Sequence, residues 1–353
     1  MNCTTALIGC GRIGFLLEDD PLRTKPCTHY GGAKKAKLTI THACDINKER
    51  LSQFAQKAKL PINHCYTDFQ KLLEKEKPEC VIIASWTQTH ATIGIQAAHH
   101  GAKVIVCEKP IAQDIASAKL LLEACSAHNT TLIINHERRY DYRYNFVKKL
   151  VEEGSIGAIT SVHGFVFTPS RAHIPQSGGG PLLHDGTHLI DTVHYLFGTI
   201  AQLQGHTKQY SPQSLYEDYA LAHCLTHSGI HVILEAGGYR DYFLFELRIY
   251  GTGGAIVIGN GYLHVYTPEK SQFYTGFNDL VAKHEHPKGK PDYFVQLYKE
   301  AKQCLKHPEP VTSSGTDGYR ALEVIHAIYH SASQGGKTIT LPLDCTSSDS
   351  VCF

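Results

Sequence analysis

The sequence Ala6-Leu7-Ile8-Gly9-Cys10-Gly11-Arg12-Ile13-Gly14 decides the fold, and it lies close to the start of the chain. Its three apolar residues predict a buried β-strand, and the glycine pattern G-x-G-x-x-G follows that strand directly. In a dinucleotide-binding turn, the first glycine permits a tight bend, the second lets the backbone approach a pyrophosphate, and the third lets a helix pack on the strand. The N-terminus of that helix offers free N–H groups to the phosphates. The predicted cofactor contacts of this turn are Gly9, Gly11, Arg12, Ile13 and Gly14.

The first 136 residues repeat this unit of apolar run, turn and helical stretch. The runs predict strands buried on both faces, because turn-forming residues bound each of them. They centre on Ile8, Ile40, Ile82, Ile105 and Ile133. Strands that alternate with helices indicate a doubly wound α/β sheet, so residues 1–136 are predicted to form a Rossmann domain. A glycine-rich turn alone does not require a nucleotide, but its position in a repeating β/α pattern favours one.

The sequence changes character from Ser161 onward, where Val, Phe, Tyr and Thr alternate with other residues. This alternation predicts an antiparallel or mixed sheet. Helical stretches flank it at 144–153, 188–197, 293–306 and 319–334. Residues 137–343 are therefore predicted to form an α+β domain for substrate binding and oligomerisation, and residues 344–353 a tail.

Length, charge and cysteine usage narrow the range of partners. The 353 residues are enough for two domains, and 34 Lys and Arg against 33 Asp and Glu leave a net charge of +1. This balance provides no basic surface for nucleic acid or an anionic membrane, and no run approaches the ~18 apolar residues of a membrane span. The twelve cysteines form no C-x-x-C pair, and the early first strand leaves no room for a signal peptide. We therefore expect reduced thiols, a cytoplasmic location and a small-molecule substrate.

An acidic residue, Asp45, follows the predicted second strand. An acid at this place can accept hydrogen bonds from the adenosine ribose hydroxyls and repel a 2′-phosphate, which favours NAD over NADP. The separation between Gly14 and Asp45 exceeds the usual ~20 residues, and an insertion at 18–30 accounts for the excess. Two alternatives stay open: Asp45 as a solvated turn residue, and a 2′-phosphate bound by Lys48 or Arg50.

Five further motifs stand out along the chain. They are Glu108-Lys109-Pro110 after a strand, Ala84-Ser85-Trp86-Thr87-Gln88-Thr89-His90, Gly178-Gly179-Gly180-Pro181-Leu182-Leu183-His184-Asp185-Gly186-Thr187-His188-Leu189-Ile190-Asp191, Tyr250-Gly251-Thr252-Gly253-Gly254 and 317–342. Together with the glycine turn, they resemble the glucose-fructose oxidoreductase/inositol dehydrogenase/MocA family over nearly the whole chain. Trp86 stands where that family usually has proline.

The resemblance implies an α/β fold class, with an N-terminal Rossmann doubly wound parallel sheet. An α+β domain follows, and its open-faced, mostly antiparallel sheet builds a homodimer or homotetramer. The further cofactor contacts implied by the resemblance are Ser85, Trp86, Thr87, His90, Glu108 and Lys109.

The resemblance also implies catalytic roles. Lys109 would hydrogen-bond the reacting hydroxyl and would be joined to Pro110 by a cis peptide bond. His188 would be the general base. The family often has Asp four residues before that histidine, whereas this chain has His184 there and Asp185 next to it. Whether Asp185 orients His188 stays open.

The chemistry of alcohol oxidation supports the same two residues. A base tuned near neutral pH must take the hydroxyl proton, and histidine suits that task. An ammonium group stabilises the developing alkoxide, and Lys109 lies at the carboxyl end of a strand, where α/β sheets place ligands. His188 begins an amphipathic helix whose Leu189, Val193 and Leu196 are predicted to face the core. The alternative is a packed or solvated histidine, because the chain contains 23.

Other polar residues are weaker candidates. His184 and His188 have the spacing of a zinc pair, but no Glu separates them in an H-E-x-x-H pattern and Gly186 weakens a helix there, so no metal is predicted. The candidate substrate contacts are Lys109, Tyr140, Arg143, Arg171, His173, Gln176, His184 and His188. Polarity of a surface loop explains several of them nearly as well.

These observations favour an NAD-dependent dehydrogenase that acts on a secondary alcohol of a sugar, cyclitol or sugar derivative. One alternative is an NAD-dependent glycosidase that uses transient oxidation, which would not accumulate NADH. Another is a non-catalytic, cofactor-sensing regulator, which could dispense with Lys109 and His188. The sequence leaves open which carbon is oxidised, the direction used in the cell, and binding of NADP in place of NAD.

Overall fold

The computed structural model describes residues 3–169, 179–283 and 287–343. The chain divides into two compact units. The first comprises Met1–Asp141 and Lys290–Tyr319, and the second comprises Tyr142–Gly289 and Arg320–Phe353. Among the described helices, none is both long and apolar enough to cross a membrane.

The secondary structure alternates in the first unit and is rich in strands in the second. The helices are α1 (His29–Lys35), α2 (Lys48–Ala58), α3 (Phe69–Glu76), α4 (Thr87–His99), α5 (Ile115–Ala127), α6 (Tyr142–Glu152), α7 (Thr187–Phe197), α8 (Tyr293–Cys304) and α9 (Gly315–Ser333). The strands are β1 (Thr5–Ile8), β2 (His42–Cys44), β3 (Cys65–Tyr66), β4 (Cys80–Ile83), β5 (Val104–Cys107), β6 (Thr131–Ile134), β7 (Ile159–Pro169), β8 (Ile200–Lys208), β9 (Tyr219–Thr226), β10 (His231–Arg240), β11 (Leu244–Gly251), β12 (Gly254–Gly259), β13 (Leu263–Lys270), β14 (Asn278–Lys283) and β15 (Ile339–Thr340). Short 3₁₀ turns lie at Leu16–Asp19, Ile62–His64 and Glu137–Tyr140.

The first unit is built on a six-stranded parallel sheet with the order β3-β2-β1-β4-β5-β6. Its central strands are fully buried on both faces, as continuous apolar runs require. This order confirms the predicted Rossmann sheet. The second strand was predicted too early, because Leu38 and Ile40 are buried by core packing whereas ladder pairing begins at His42.

Helix α8 belongs to the first unit, although its sequence pattern was interpreted as flanking the second sheet. Phe294, Leu297 and Tyr298 are buried in the same core as the parallel strands. Gly32 of α1 allows a close approach, because a Cβ there would lie 2.7 Å from the Cβ of Phe294. An amphipathic helix shows that one face is covered, but its sequence does not identify the covering element.

The second unit contains a nine-stranded sheet with the order β14-β13-β12-β11-β7-β10-β9-β8-β15. Strands β7 and β10 pair in parallel, and the other pairs among the described strands are antiparallel. Val162 and Val166 are buried on one face, where α7 packs so closely that a Cβ on Gly164 would lie 2.8 Å from Leu189. His163 and Phe165 point to the other, partly exposed face. The mostly antiparallel α+β prediction is confirmed.

Candidate active site

The carboxyl ends of the central strands in the first unit lie level with one another. The backbone N–H of Ala84 donates to Ile8, that of Glu108 to Ile83, and that of Asn135 to Cys107, at 2.8–2.9 Å. The residues that follow neighbouring strands therefore form one row. In open α/β sheets this edge is where ligands bind. The row brings together Gly9, Asp45, Ala84, Glu108 and Asn135.

The three glycines of the turn have three different surroundings. Gly9 has φ +103°, and a Cβ there would lie 2.5 Å from the carbonyl of Ala84. A Cβ on Gly14 would lie 2.3 Å from the carbonyl oxygen of Gly9. A Cβ on Gly11 would meet nothing within 4 Å, so its backbone borders open space. These surroundings fit a turn whose second glycine admits a pyrophosphate.

The expected helix after the turn is interrupted. Backbone N–H groups of Phe15 and Leu17 donate to Gly11 and Arg12 and close a single helical turn. Helix α1 then begins only at His29, whose N–H donates to the carbonyl of Ile13 at 3.0 Å, and the next residue donates to Gly14. Residues 18–28 thus form an excursion from the helical turn, and the chain returns at His29 to extend the same turn. This excursion accounts for the long separation between the glycines and the acid after β2.

Asp45 is 9% exposed and both of its carboxylate oxygens accept hydrogen bonds from backbone. Oδ2 accepts the N–H of Cys10 at 2.7 Å, and Oδ1 accepts the N–H of Asn47 at 2.8 Å. The acid therefore braces the glycine turn, and the alternative of a solvated turn residue is wrong. Lys48 and Arg50 are exposed on α2.

The loop after β4 holds four predicted cofactor contacts in different settings. Trp86 is 43% exposed, whereas Thr87 and His90 are buried. The His90 ring lies between the carbonyl oxygens of Pro110, 2.8 Å from Nδ1, and Ser85, 3.1 Å from Nε2. Burial lowers the pKa of His90. Because this ring is 1% exposed, it ties the loop to the Lys109–Pro110 corner and has no surface to offer a cofactor directly.

Glu108 is buried, and two of its hydrogen-bond partners, His29 and Asn135, were not predicted from the sequence. Its Oε1 accepts hydrogen bonds from Nε2 of His29 at 2.8 Å and from the amide of Asn135 at 2.5 Å, and Oε2 accepts the backbone N–H of Lys109 at 3.3 Å. Burial raises the pKa of Glu108, but the hydrogen bond and charge of His29, the charge of Lys109 and the Asn135 amide lower it to about 2. Lys109 is partly exposed, and its bond to Pro110 is cis, as expected.

In the second unit, the predicted acid/base residues lie at a π-helical turn. Leu182–Gly186 forms this turn and leads directly into α7, so His184 and Asp185 lie within it and His188 is the second residue of α7. All three are partly exposed. Single π turns inside helices are frequent at functional sites. Leu189, Val193 and Leu196 are buried, as predicted.

A second residue missed by sequence reasoning supports this π turn. Oε1 of Glu217 accepts hydrogen bonds from the backbone N–H of Leu182 and from the buried hydroxyl of Tyr329, both at 3.0 Å. A Cβ on Gly180 would lie 2.3 Å from the Glu217 carboxyl carbon. Burial raises the pKa of Glu217 to about 7. Its sequence setting, Tyr216-Glu217-Asp218, gave no sign of burial.

The remaining candidate substrate contacts do not belong to the π turn. Tyr140 is a core residue of the first unit, and its hydroxyl donates to Oε2 of Glu300 at 2.6 Å, so the expected substrate contact is corrected. Arg143 lies over the Tyr142 ring. The other three candidates lie outside the described residues: Arg171, His173 and Gln176. Within the described ranges, no group of three or more His, Cys, Asp or Glu side chains is placed to hold a metal ion.

Family models match both parts of the chain. Residues 3–136 match the oxidoreductase family's NAD-binding Rossmann fold, and residues 148–341 match its C-terminal alpha/beta domain. The two matched ranges cover most of the sequence and meet near the division between the two predicted domains.

Individual relatives are distant but long. D-apiose dehydrogenase of Rhizobium rhizogenes is 24% identical over 351 residues, which is 95% of this chain and 97% of that protein. Inositol 2-dehydrogenase of Salmonella typhimurium is 28% identical over 248 residues, 67% of each chain. A solved structure of levoglucosan dehydrogenase in complex with NADH and L-sorbose matches with a TM-score of 0.81 and 20% identity, covering 97% of this chain and 99% of that one.

The similarity to the solved structure shows the fold, and the matches to the two family models show the family. The chain therefore belongs to the Gfo/Idh/MocA oxidoreductase family, with an NAD-binding Rossmann domain at residues 3–136.

Proposed function

We propose that this protein transfers a hydride between a secondary alcohol of a sugar, cyclitol or sugar derivative and NAD. The observation that carries the proposal is the row of Gly9, Asp45 and Glu108 at the carboxyl edge of the parallel sheet, with Lys109 next in the chain. The glycine turn and Asp45 would hold the dinucleotide, which supplies the hydride acceptor. The names of the relatives, dehydrogenases of apiose, inositol and levoglucosan, favour a polyhydroxylated substrate.

Lys109 is proposed to donate a hydrogen bond to the reacting hydroxyl. Its positive charge would stabilise negative charge that develops on the oxygen as the proton leaves. The buried carboxylate of Glu108 accepts the backbone N–H of Lys109. This hydrogen bond fixes the backbone that carries the lysine side chain.

His188 is proposed to take the hydroxyl proton, with Asp185 and His184 as its candidate orienting groups. The π turn that carries both neighbours leads directly into the helix of His188. An imidazole accepts a proton at neutral pH more readily than any other side chain, which suits the base of this reaction. Substrate contacts by Arg171, His173 and Gln176 belong to the same proposal.

The cofactor is proposed to be NAD rather than NADP. The Asp45 carboxylate follows β2 and is held in place by two backbone N–H groups, so a 2′-phosphate brought near it would be repelled. We further propose that the predicted domain 137–343, apart from those of its residues that belong to the first unit, binds substrate and builds a homodimer or homotetramer, and that the protein acts in the cytoplasm. The ten described cysteines are free thiols, which is consistent with that compartment.

A substrate panel tests the proposed function. Sugars, glycosides, cyclitols and sugar nucleotides are mixed with the protein and NAD, the absorbance of the reduced nicotinamide is followed, and the sugar products are analysed. Accumulation of NADH with at least one of these alcohols is expected. Glycoside cleavage without NADH would instead support the glycosidase, and cofactor binding without turnover of any compound would support the regulator.

A further inference from the structure

A buried chain of hydrogen bonds runs from helix α8 to the edge of the parallel sheet. The Tyr298 hydroxyl is hydrogen-bonded to Nδ1 of His29 at 2.5 Å, and Nε2 of the same ring is bonded to Glu108 at 2.8 Å. His29 and Tyr298 are both 0% exposed, and Glu108 is 7% exposed. All of these residues belong to the first unit.

We propose that His29 is a positioning residue: together with Tyr298 it holds the Glu108 carboxylate against the backbone N–H of Lys109, and so fixes where the lysine ammonium group stands. This inference rests on the proposed function, in which Lys109 contacts the reacting hydroxyl. It assigns a role to the excursion between the glycine turn and α1, because His29 is the first residue after it.

The geometry leaves the His29 ring little freedom. Both ring nitrogens are engaged, and the ring makes edge contacts with Phe294 and Tyr298, with centroids 5.4 and 5.9 Å away. The backbone N–H of His29 is bonded to Ile13 of the glycine turn. A ring fixed at both nitrogens and at its backbone presents Nε2 to Glu108 in a single direction.

The charges around Glu108 explain why this support is needed. A buried carboxylate without hydrogen-bond donors is unstable, and here the donors come from His29, Asn135 and the backbone of Lys109. The other titratable groups facing this network are Lys109, His90, Cys107 and Cys80. Burial raises the pKa of the Tyr298 hydroxyl, so the residue stays neutral and acts as a hydrogen-bonding partner.

A purely structural role for His29 makes different predictions from a positioning role. If the ring only fills space, its replacement lowers stability, and any loss of activity follows the loss of folded protein. If it positions the lysine, kcat falls in protein that is folded and binds NADH normally. Loss of an outer partner that orients a metal ligand typically lowers activity by about 10- to 100-fold, and we expect a loss of the same order for an oriented lysine.

The test compares His29→Gln and Tyr298→Phe with the control His42→Gln. Gln at position 29 retains one N–H donor, and Phe at position 298 retains the ring. His42 is also buried beside a glutamate, with Nε2 3.1 Å from Glu76, but it lies at the amino end of β2. Each protein is assayed for NADH affinity by fluorescence, for kcat on the alcohol selected by the panel, and for unfolding by urea between pH 3 and pH 7.

We expect a kcat at least 10-fold lower for His29→Gln and a smaller loss for Tyr298→Phe, with NADH affinity within about 3-fold of the wild type. His42→Gln is expected to retain wild-type kcat. In the unfolding series, a carboxyl with a lowered pKa stabilises the folded state above about pH 4.5 and loses that contribution as the pH falls toward 2. The stability difference between wild type and His29→Gln should therefore shrink from pH 5 to pH 3, which a space-filling role does not predict.

Equal kcat for folded His29→Gln and wild type would overturn the positioning role, as would a stability difference that does not change with pH. If His29→Gln fails to fold, an undiminished kcat in Tyr298→Phe overturns it instead. These results leave the proposed function intact, because the wild type still turns over. Absence of turnover by the wild type on the whole panel contradicts the proposed function itself, and with it the inference.

Discussion

The carboxylate of Asp45 accepts the backbone N–H of Cys10 at 2.7 Å, so the acid after β2 and the glycine turn after β1 form one hydrogen-bonded unit. Asp45 is the residue expected to hydrogen-bond the adenosine ribose of the cofactor. It thus also supports the glycine turn that is expected to approach the pyrophosphate. Under the proposed function, cofactor choice and turn geometry would therefore depend on the same side chain.

Replacement of Asp45 by Ala is expected to weaken NAD binding and reduce the preference for NAD over NADP, because it removes both the turn's acceptor and the repelling charge. The wild type should bind NAD(H) more tightly than NADP(H), as measured by calorimetry. Asp68→Ala is the control, since Asp68 also accepts backbone N–H groups, at the start of α3. Equal or tighter binding of NADP(H) by the wild type would refute the assignment and point to Lys48 or Arg50.

Glu217 makes stability depend on pH in the opposite sense to an ordinary acid. Its pKa is raised to about 7, so the folded state favours the protonated carboxyl, and this contribution is lost as the pH rises from about 4.5 to 7. Glu217→Gln, which retains an acceptor for Leu182 and Tyr329, should gain stability relative to the wild type over that range. Thermal unfolding from pH 5 to pH 8 measures the difference. The exposed control Glu269→Gln should show none, and parallel curves for wild type and Glu217→Gln would disprove the raised pKa.

The partly exposed face of the nine-stranded sheet is expected to join copies of the chain. Phe165, Leu221 and Ile233 are partly exposed on that face among polar and charged neighbours, and apolar side chains grouped on a surface favour contact with a partner. Light scattering should give a multiple of 39.1 kDa for the wild type and the monomer mass for Ile233→Glu. Ile62→Glu, at an exposed position of the first unit, should leave the mass unchanged. A wild-type monomer at micromolar concentration would contradict this proposal.

Asp185 and His184 are the two candidates for the residue that orients the proposed base, His188. If Asp185 orients His188, Asp185→Asn should lower kcat more than His184→Ala does, because a carboxylate both holds the imidazole ring in place and stabilises the imidazolium that forms. The comparison is made with kcat at saturating NAD, together with melting temperatures to confirm folding. A greater loss in His184→Ala would assign the orienting role to that histidine.

Much of the fold and of the candidate site could be predicted from local motifs, because each motif consists of residues that lie close together in the sequence. The glycine turn, Asp45 and the Lys109–Pro110 corner all follow strands whose apolar runs are visible in the sequence. The 3₁₀ turn at Leu16–Asp19 and the late start of α1 were visible only as an unusually long gap before Asp45.

The partners that hold these motifs in place were not predictable in the same way. His29 and Tyr298 are 269 positions apart, and nothing in either local sequence indicates that their rings meet. Glu217 is similar, since its contact with the π turn depends on how β9 and the glycine-rich segment pack. The π turn itself replaces the ordinary helical spacing expected between His184 and His188.

The most direct test of the proposed chemistry is a double-mutant cycle of Lys109→Ala and His188→Ala on the alcohol selected by the panel. Each single change should lower kcat/KM by about 10²–10⁴ with little effect on NAD affinity, and the double variant should lose much less than the product of the two. Lys103→Ala and His99→Ala, at exposed positions, serve as controls. Near-normal turnover by folded, NAD-binding His188→Ala would contradict its role as the base, and fully multiplicative losses would contradict joint action on one transition state.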